Sequence, residues 1–155
     1  MISKKRTHLK FDPESPAWIG LRVTVVSNRY LYALYVELER KYQLLRDDVA
    51  VINCLSITSA TTAQEIVRYT GRPKNSISRA VTKLEADRIL RRKSDPQDGR
   101  VSTLSLTTHG KRLFDQIKGY FAERDKRLVE VLGEKEKHEF NRLLNKVSEG
   151  CVDWI

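Results

Sequence analysis

Residues 62–85 read TAQEIVRYTGRPKNSISRAVTKLE, and this stretch decides the fold. It opens with Thr62 and has Glu65 three residues later, a pattern in which hydroxyl and carboxylate each satisfy a free amide of the first helical turn. Ile66 and Val67 give that short helix an apolar side. Thr70-Gly71-Arg72-Pro73 then breaks the chain: Gly71 can adopt positive φ, and Pro73 suits the first position of a new helix. In that next helix, about 73–86, Ile77, Ala80, Val81 and Leu84 fall on one face at 100° per residue. The opposite face carries Asn75, Ser78, Arg79 and Thr82, with Lys74, Ser76 and Lys83 beside it. No acid appears before Glu85. A solvated helix face would look similar in isolation. A capped helix, a glycine turn and a basic helix in series form a helix-turn-helix pattern.

The chain continues as LRRKSDPQDGRVSTLSLTTHG over 90–110. Leu90 to Lys93 reads as a strand, 95–99 as a turn, and 101–107 as a second strand alternating at Thr103, Leu104, Ser105 and Leu106. The resulting hairpin carries Arg91, Arg92, Lys93 and Arg100, so it forms a basic wing next to the basic helix. The whole chain has 155 residues and a formal net charge of +9. Residues 72–100 hold nine basic and four acidic side chains, which places +5 of that charge in 29 residues. Concentration of this kind suits a surface that follows a phosphate backbone.

Outward from this centre the pattern is helical. Ile19, Val23, Val26, Tyr30, Leu34 and Leu38 mark a helix from about 17 to 42. A second helix starts near Asp47 or Asp48, either of which could act as N-cap, and carries Val51, Ile52 and Leu55. After the wing, Leu113, Phe114, Ile117, Phe121, Leu128 and Leu132 mark one long helix. Gly133 interrupts it, and Phe140, Leu143, Leu144 and Val147 mark the last. The fold class is therefore mainly α with a small β-wing. A winged helix-turn-helix lobe covers about 45–107 of a single 1–155 unit. The helices at about 17–42 and 108–155 are too apolar and too long for one small lobe, and they form a dimerisation region.

Two segments resemble the MarR (multiple antibiotic resistance regulator) family. In that family the wing reads roughly Asp-Pro-x-Asp-Arg-Arg, then a strand, then Leu-Thr-x-x-Gly. Asp95, Pro96, Asp98, Arg100, Leu106, Thr107 and Gly110 match. Residues 73–85 are similar to the family's recognition helix, and the likeness extends over about 17–147. Gly99 replaces the first of the paired wing arginines. Arg88 stands where the family usually has Gly, so it must take an unusual backbone angle or the turn must be built differently. The resemblance implies a homodimer on a pseudo-palindromic operator in double-stranded DNA. Helix four would be in the major groove, Arg100 in the minor groove, and Asp98 would hold the wing tip. It also implies a repressor released by a small molecule, an aromatic acid or a phenol, bound between the dimerisation helices and the lobe.

The expected DNA contacts are Lys74, Asn75, Ser76, Ser78, Arg79, Thr82 and Lys83 on helix four, Arg92, Lys93, Asp98 and Arg100 on the wing, and Thr61 and Thr62 at the start of helix three. Arg22 and Ser27 are the expected effector contacts, with Arg29 a further carboxylate partner among the aromatics Trp18, Tyr30, Tyr32 and Tyr35. Catalysis, metals and cofactors are not expected. His8, His109 and His138 have no ligand spacing, and no GxSxG, phosphate-binding loop or paired-carboxylate motif occurs. Cys54 lies in an apolar run and reads as a small hydrophobe rather than a redox sensor, and Cys151 has no basic neighbour in sequence. The chain starts without a signal-like apolar run and has no membrane span, and its two cysteines, far apart, give no disulfide framework or CxxC, so a reducing cytoplasm is the simplest reading. Two alternatives fit the same charge pattern: a winged-helix module that binds an acidic protein, and an architectural DNA binder without sequence preference.

Overall fold

The computed structural model describes residues 17–94, 102–152 and 154. Six helices and three strands follow in the order α1 (Ile19–Tyr42), α2 (Arg46–Thr58), β1 (Thr61–Thr62), α3 (Ala63–Thr70), α4 (Lys74–Ala86), β2 (Leu90–Ser94), β3 (Ser102–Leu106), α5 (Thr108–Leu128) and α6 (Glu134–Cys151). The elements are mainly α with a small antiparallel sheet, as expected. The sheet has an extra strand: β1 pairs with β3, giving the order β1-β3-β2. β1 is two residues long, and such a strand is set by its partner rather than by any local pattern. Thr61 faces Leu104 and Thr62 faces Thr103 across this pair. In the wing, Leu90 faces Leu106 and Arg92 faces Leu104.

The core is built where the apolar faces of α2, α3 and α4 meet the sheet. Val49, Ile52, Leu55, Ile66, Ile77, Leu84 and Leu104 are almost fully enclosed. Each such side chain contributes about 1.5–3 kcal/mol by leaving water. Leu34 and Leu38 of α1 and Ile117 of α5 close this core from the other side. The N-terminal half of α1 does not join it: Ile19, Val23 and Val26 are exposed. α6 contributes no buried residue at all.

Local chemistry explains the helix boundaries. Thr62 caps α3, its hydroxyl accepting from the Glu65 amide at 3.2 Å, while the Thr62 amide donates to the Glu65 carboxylate at 3.1 Å. The Thr61 hydroxyl also donates to the Glu65 carboxylate, and this bond foremost, with that from the Thr62 amide, holds the Glu65 carboxyl below its usual range. Neither Asp47 nor Asp48 is the N-cap of α2. Leu45 occupies that position, and Asp48 reaches back one turn to accept from the Leu45 amide at 2.8 Å. α5 ends at Leu128, short of Leu132, and Gly133 caps α6.

The turn after α4 resolves the Arg88 question. Arg88 is left-handed, φ 56°, and the Ile89 amide closes the turn on the Leu84 carbonyl at 2.8 Å. A side chain at such an angle costs about 1–2 kcal/mol. Arg88→Gly should therefore raise stability by roughly 0.5–1 kcal/mol, after the looser unfolded chain is allowed for. A chemical-denaturation midpoint below that of the parent protein would contradict this account.

Candidate nucleic-acid interface

The two helices of the motif are joined by a tight turn. Gly71 sits at φ 62°, and its amide donates to the Val67 carbonyl at 2.9 Å. Pro73 is the N-cap of α4, one position before the first helical position expected for it, and its carbonyl accepts from Ser76 and Ile77. Ile77, Ala80, Val81 and Leu84 are buried, as the helical period requires. Lys74, Asn75, Ser78, Arg79 and Thr82 are exposed on the other side, with Ser76 half-buried between the faces. Arg79 lies back along its helix, its Nε donating to the Asn75 carbonyl at 3.3 Å, and the Thr82 hydroxyl donates to the Ser78 carbonyl at 3.0 Å. Both contacts are weak and solvent-exposed, so both side chains can turn outward at little cost. The first turn holds no acid, which leaves the positive end of the helix dipole unopposed.

Lys83 does not share this face. Its ammonium donates to the Asp48 carboxylate and, at 2.7 Å, to the Gln43 carbonyl. Asp48 is 2% exposed, so Lys83 could reach a phosphate only by abandoning a buried charge. Thr61 is likewise withdrawn: it is buried in β1 with its hydroxyl given to Glu65 at 2.5 Å. Thr62 keeps some exposure but is occupied as the α3 cap. On the wing, Arg92 is exposed and pairs with Glu85 of α4 at 3.4 Å, a contact that solvent weakens. Lys93 is exposed, and Arg91 donates to the Ser105 hydroxyl at 3.1 Å. Asp98, Gly99 and Arg100 lie outside the described residues.

A second feature lies behind the helix-turn-helix. A cavity of about 950 Å³ opens between α1 and the start of α2, lined by Asn28, Arg29, Tyr32, Tyr35, Val36, Arg46 and Asp47 among others. The Arg46 guanidinium lies 5.7 Å from the centre of the Tyr35 ring, and burial pushes the Tyr35 hydroxyl above its usual range. Arg22 and Ser27 do not line this cavity. Arg22 is near the start of α1, two turns before the stretch that α2 reaches, and one of its nitrogens donates to the Ala17 carbonyl at 3.3 Å. Arg29, one heptad later on the same face, does line the cavity, together with Arg46.

Among the described residues, no group of three His, Cys, Asp or Glu side chains is placed to hold a metal ion. Within the same residues no helix is long and apolar enough to cross a membrane. Burial raises the Cys54 thiol above its usual range, which disfavours the reactive thiolate.

A core of α2, α3 and α4, the last of them basic and exposed on its outer face, together with a two-stranded wing, defines a winged helix-turn-helix protein. Residues 43–101 match the MarR family model MarR_2. The uncharacterized HTH-type transcriptional regulator YxaD of Bacillus subtilis (strain 168) is 33% identical over 79 residues, 51% of this chain and 55% of that protein. The chain thus spans about half the length of this curated relative. The crystal structure of a MarR/EmrR family transcriptional regulator from Acinetobacter sp. ADP1 has a TM-score of 0.75 at 26% identity, covering 88% of this chain and 95% of that one. Bordetella bronchiseptica BpsR, solved to explain regulation of its DNA binding by 6-hydroxynicotinic acid, shares the fold at a TM-score of 0.72 and 20% identity, over 84% of this chain and 98% of its own. The segment 43–101, which holds the helix-turn-helix, is thus similar to the MarR family over that stretch.

Proposed function

We propose that the protein is a dimeric, sequence-specific double-stranded DNA-binding transcriptional regulator, a repressor released by a small molecule. One observation carries the DNA reading: the exposed face Asn75, Ser78, Arg79 and Thr82, free of acids and backed by a buried apolar stripe. These are the side chains that suit base edges in a major groove, Arg for guanine and Asn for adenine. Lys74, Lys93 and Arg92 flank the face and supply phosphate contacts. Arg100 and Asp98 take the wing tip in this reading, and Arg100 is the residue for the minor groove.

Two copies would present two such helices to half-sites about one helical turn apart. The exposed apolar faces of α1 and α6 are the surfaces for that pairing. The effector is assigned to the α1–α2 cavity. Its aromatic walls, Tyr32 and Tyr35, and its cations, Arg29 and Arg46, suit an aromatic acid. A relative in fold, BpsR, is regulated by such a compound.

Selection of binding sites from random DNA tests the proposal. A pseudo-palindrome with half-sites about one turn apart supports it. Binding without sequence preference points instead to an architectural protein, and no salt-steep DNA binding points to a protein-interaction module. On the selected site, Arg79→Ala should cost about 1–3 kcal/mol and relax base preference at one position in each half-site. Lys93→Ala should weaken all sequences alike and lower the salt slope by about 0.9 for each subunit's lost contact, about 1.8 for the dimer. Mobility-shift titrations over a salt series read both effects.

A further inference from the structure

The recognition helix is tied to the rest of the lobe at both ends, and both ties go to adjacent acids at the start of α2. Arg72, two residues before α4, donates from Nε to Asp47 Oδ1 at 2.5 Å. Lys83, in the last turn of α4, donates to Asp48 Oδ2, an oxygen that also accepts from the Leu45 amide. Lys83 reaches the Gln43 carbonyl as well, so it also holds the end of α1. Residues 74 and 83 are roughly 14 Å apart along a helix axis.

Between the two ties, α4 rests on the core through Ile77, Ala80, Val81 and Leu84. Apolar packing of this kind is non-directional, so by itself it sets the rotation of the helix about its axis less sharply than directional bonds do. Directional charge-assisted bonds at two separated points resist both rotation and tilt. Arg79 lies between them: it lines a cavity of about 340 Å³ whose other walls include Asp47, Asp48, Ser76 and Lys83.

We infer that Asp47 and Asp48 are positioning residues, which set the orientation of the recognition helix through Arg72 and Lys83, and that Lys83 acts inward as a strut rather than outward on phosphate. The inference rests on the DNA-binding reading above. It separates two roles for the lysines and arginines of residues 72–93. Lys74, Arg79 and Lys93 face outward, whereas Arg72 and Lys83 aim the surface. Asp47 also lines the α1–α2 cavity, so the same carboxylate is a wall of the candidate effector site and an anchor of the helix.

The test uses the full chain with Lys83→Gln, Asp48→Asn, the double variant, Arg72→Gln and Arg72→Lys. Two probes are used across a salt series: a duplex enriched from random DNA by the parent protein, and a scrambled duplex of the same composition. Amide hydrogen exchange on the DNA-free proteins is followed in parallel. Lys83→Gln and Asp48→Asn should each weaken the enriched duplex about tenfold, and the double variant should be no worse than either alone, as for members of one contact. Binding to the scrambled duplex and the salt slope should remain those of the parent. Arg72→Lys should retain most of what Arg72→Gln loses. If instead Lys83→Gln weakens both duplexes alike and lowers the salt slope by about 0.9 per subunit, about 1.8 for the dimer, while Asp48→Asn does not, Lys83 is a phosphate contact and the inference is overturned. Should the parent protein enrich no sequence, the functional proposal fails and exchange decides the inference. Faster exchange of the α4 amides in Asp48→Asn and Lys83→Gln, with α3 unchanged, upholds it, and unchanged exchange in α4 overturns it.

Discussion

Gly110→Ala should destabilise the protein by about 3 kcal/mol, the upper part of the usual cost of forcing atoms into a packed site. A Cβ at this position would stand 2.0 Å from the Ile89 carbonyl oxygen and 3.2 Å from Leu106 Cδ2. Neither side can give way easily. The Ile89 carbonyl accepts from the Thr107 amide at 3.0 Å, and the Thr107 hydroxyl donates to the Arg88 carbonyl at 2.7 Å. That same hydroxyl oxygen caps α5 by accepting from the Gly110 amide at 3.0 Å. Moving α5 away from Ile89 would break the cap, and moving Ile89 would pull on the strained turn at Arg88. A thermal melt should shift down by roughly 6–12 °C for a chain of this size. A melt within a degree or two of the parent would mean that the junction yields. The Leu-Thr-x-x-Gly segment thus has a structural reason: Leu106 fills the core, Thr107 ties the turn to the helix, and Gly110 lets the backbones meet.

What the sequence made legible was whatever repeats locally. The face of α4 follows from the spacing of Ile77, Ala80, Val81 and Leu84, because a helical period places them together whatever surrounds them. The cap of α3 follows from Thr62 and Glu65, which interact within one turn. The pairing of β2 with β3 follows from the alternation that sends Leu104 and Leu106 inward. The illegible features all depend on distant partners. β1 exists because Leu104 and Thr103 offer it a ladder. Lys83 belongs to the same helical surface as its basic neighbours, and nothing in residues 73–86 shows that Asp48, 35 positions away, claims its ammonium. The charge counted over 72–100 therefore includes two cations, Arg72 and Lys83, that already have acidic partners in α2.

The expected effector residues Arg22 and Ser27 lie outside the α1–α2 cavity for a related reason. Arg22 and Arg29 share a face of α1, and periodicity cannot choose between them. The choice is made by where α2 begins, since Leu45, Arg46 and Asp47 reach the later part of α1 and leave Arg22 beyond the cavity. Helix one shows the limit in another form. Its spacing reports an apolar face from Ile19 to Leu38, but within one chain the burial of that face starts at Leu34. The period says that a face is apolar, not what covers it.

That uncovered face leads to the second large effect. On α6, Phe140, Leu143, Leu144 and Val147 recur at three- and four-residue steps, and all are exposed, Val147 by 60%. On α1, Ile19, Val23 and Val26 add a second exposed apolar surface. Fully burying an exposed side chain of this kind contributes about 1.5–3 kcal/mol, and these are roughly half exposed, so covering all of them would release an amount comparable with a typical domain's net stability. In the dimer proposed above, a second copy would supply a cover of matching character, and a stable pairing needs about 800 Å² from each partner. The parent protein should sediment at twice the 18.0 kDa of the chain. Leu144→Glu combined with Val147→Glu places two carboxylates in the apolar stripe and should shift the protein to monomer. The lobe should still melt cooperatively, because α6 contributes nothing to its core. Affinity for a two-half-site duplex should then fall by about 10²–10⁴, the advantage lost when two linked binding events become independent, while a single half-site should bind as before. A parent protein that sediments as a monomer at micromolar concentration, or a variant that remains a dimer, would remove these helices from the interface. A variant that is monomeric yet holds the full duplex as tightly as the parent would show that one lobe reads the whole site.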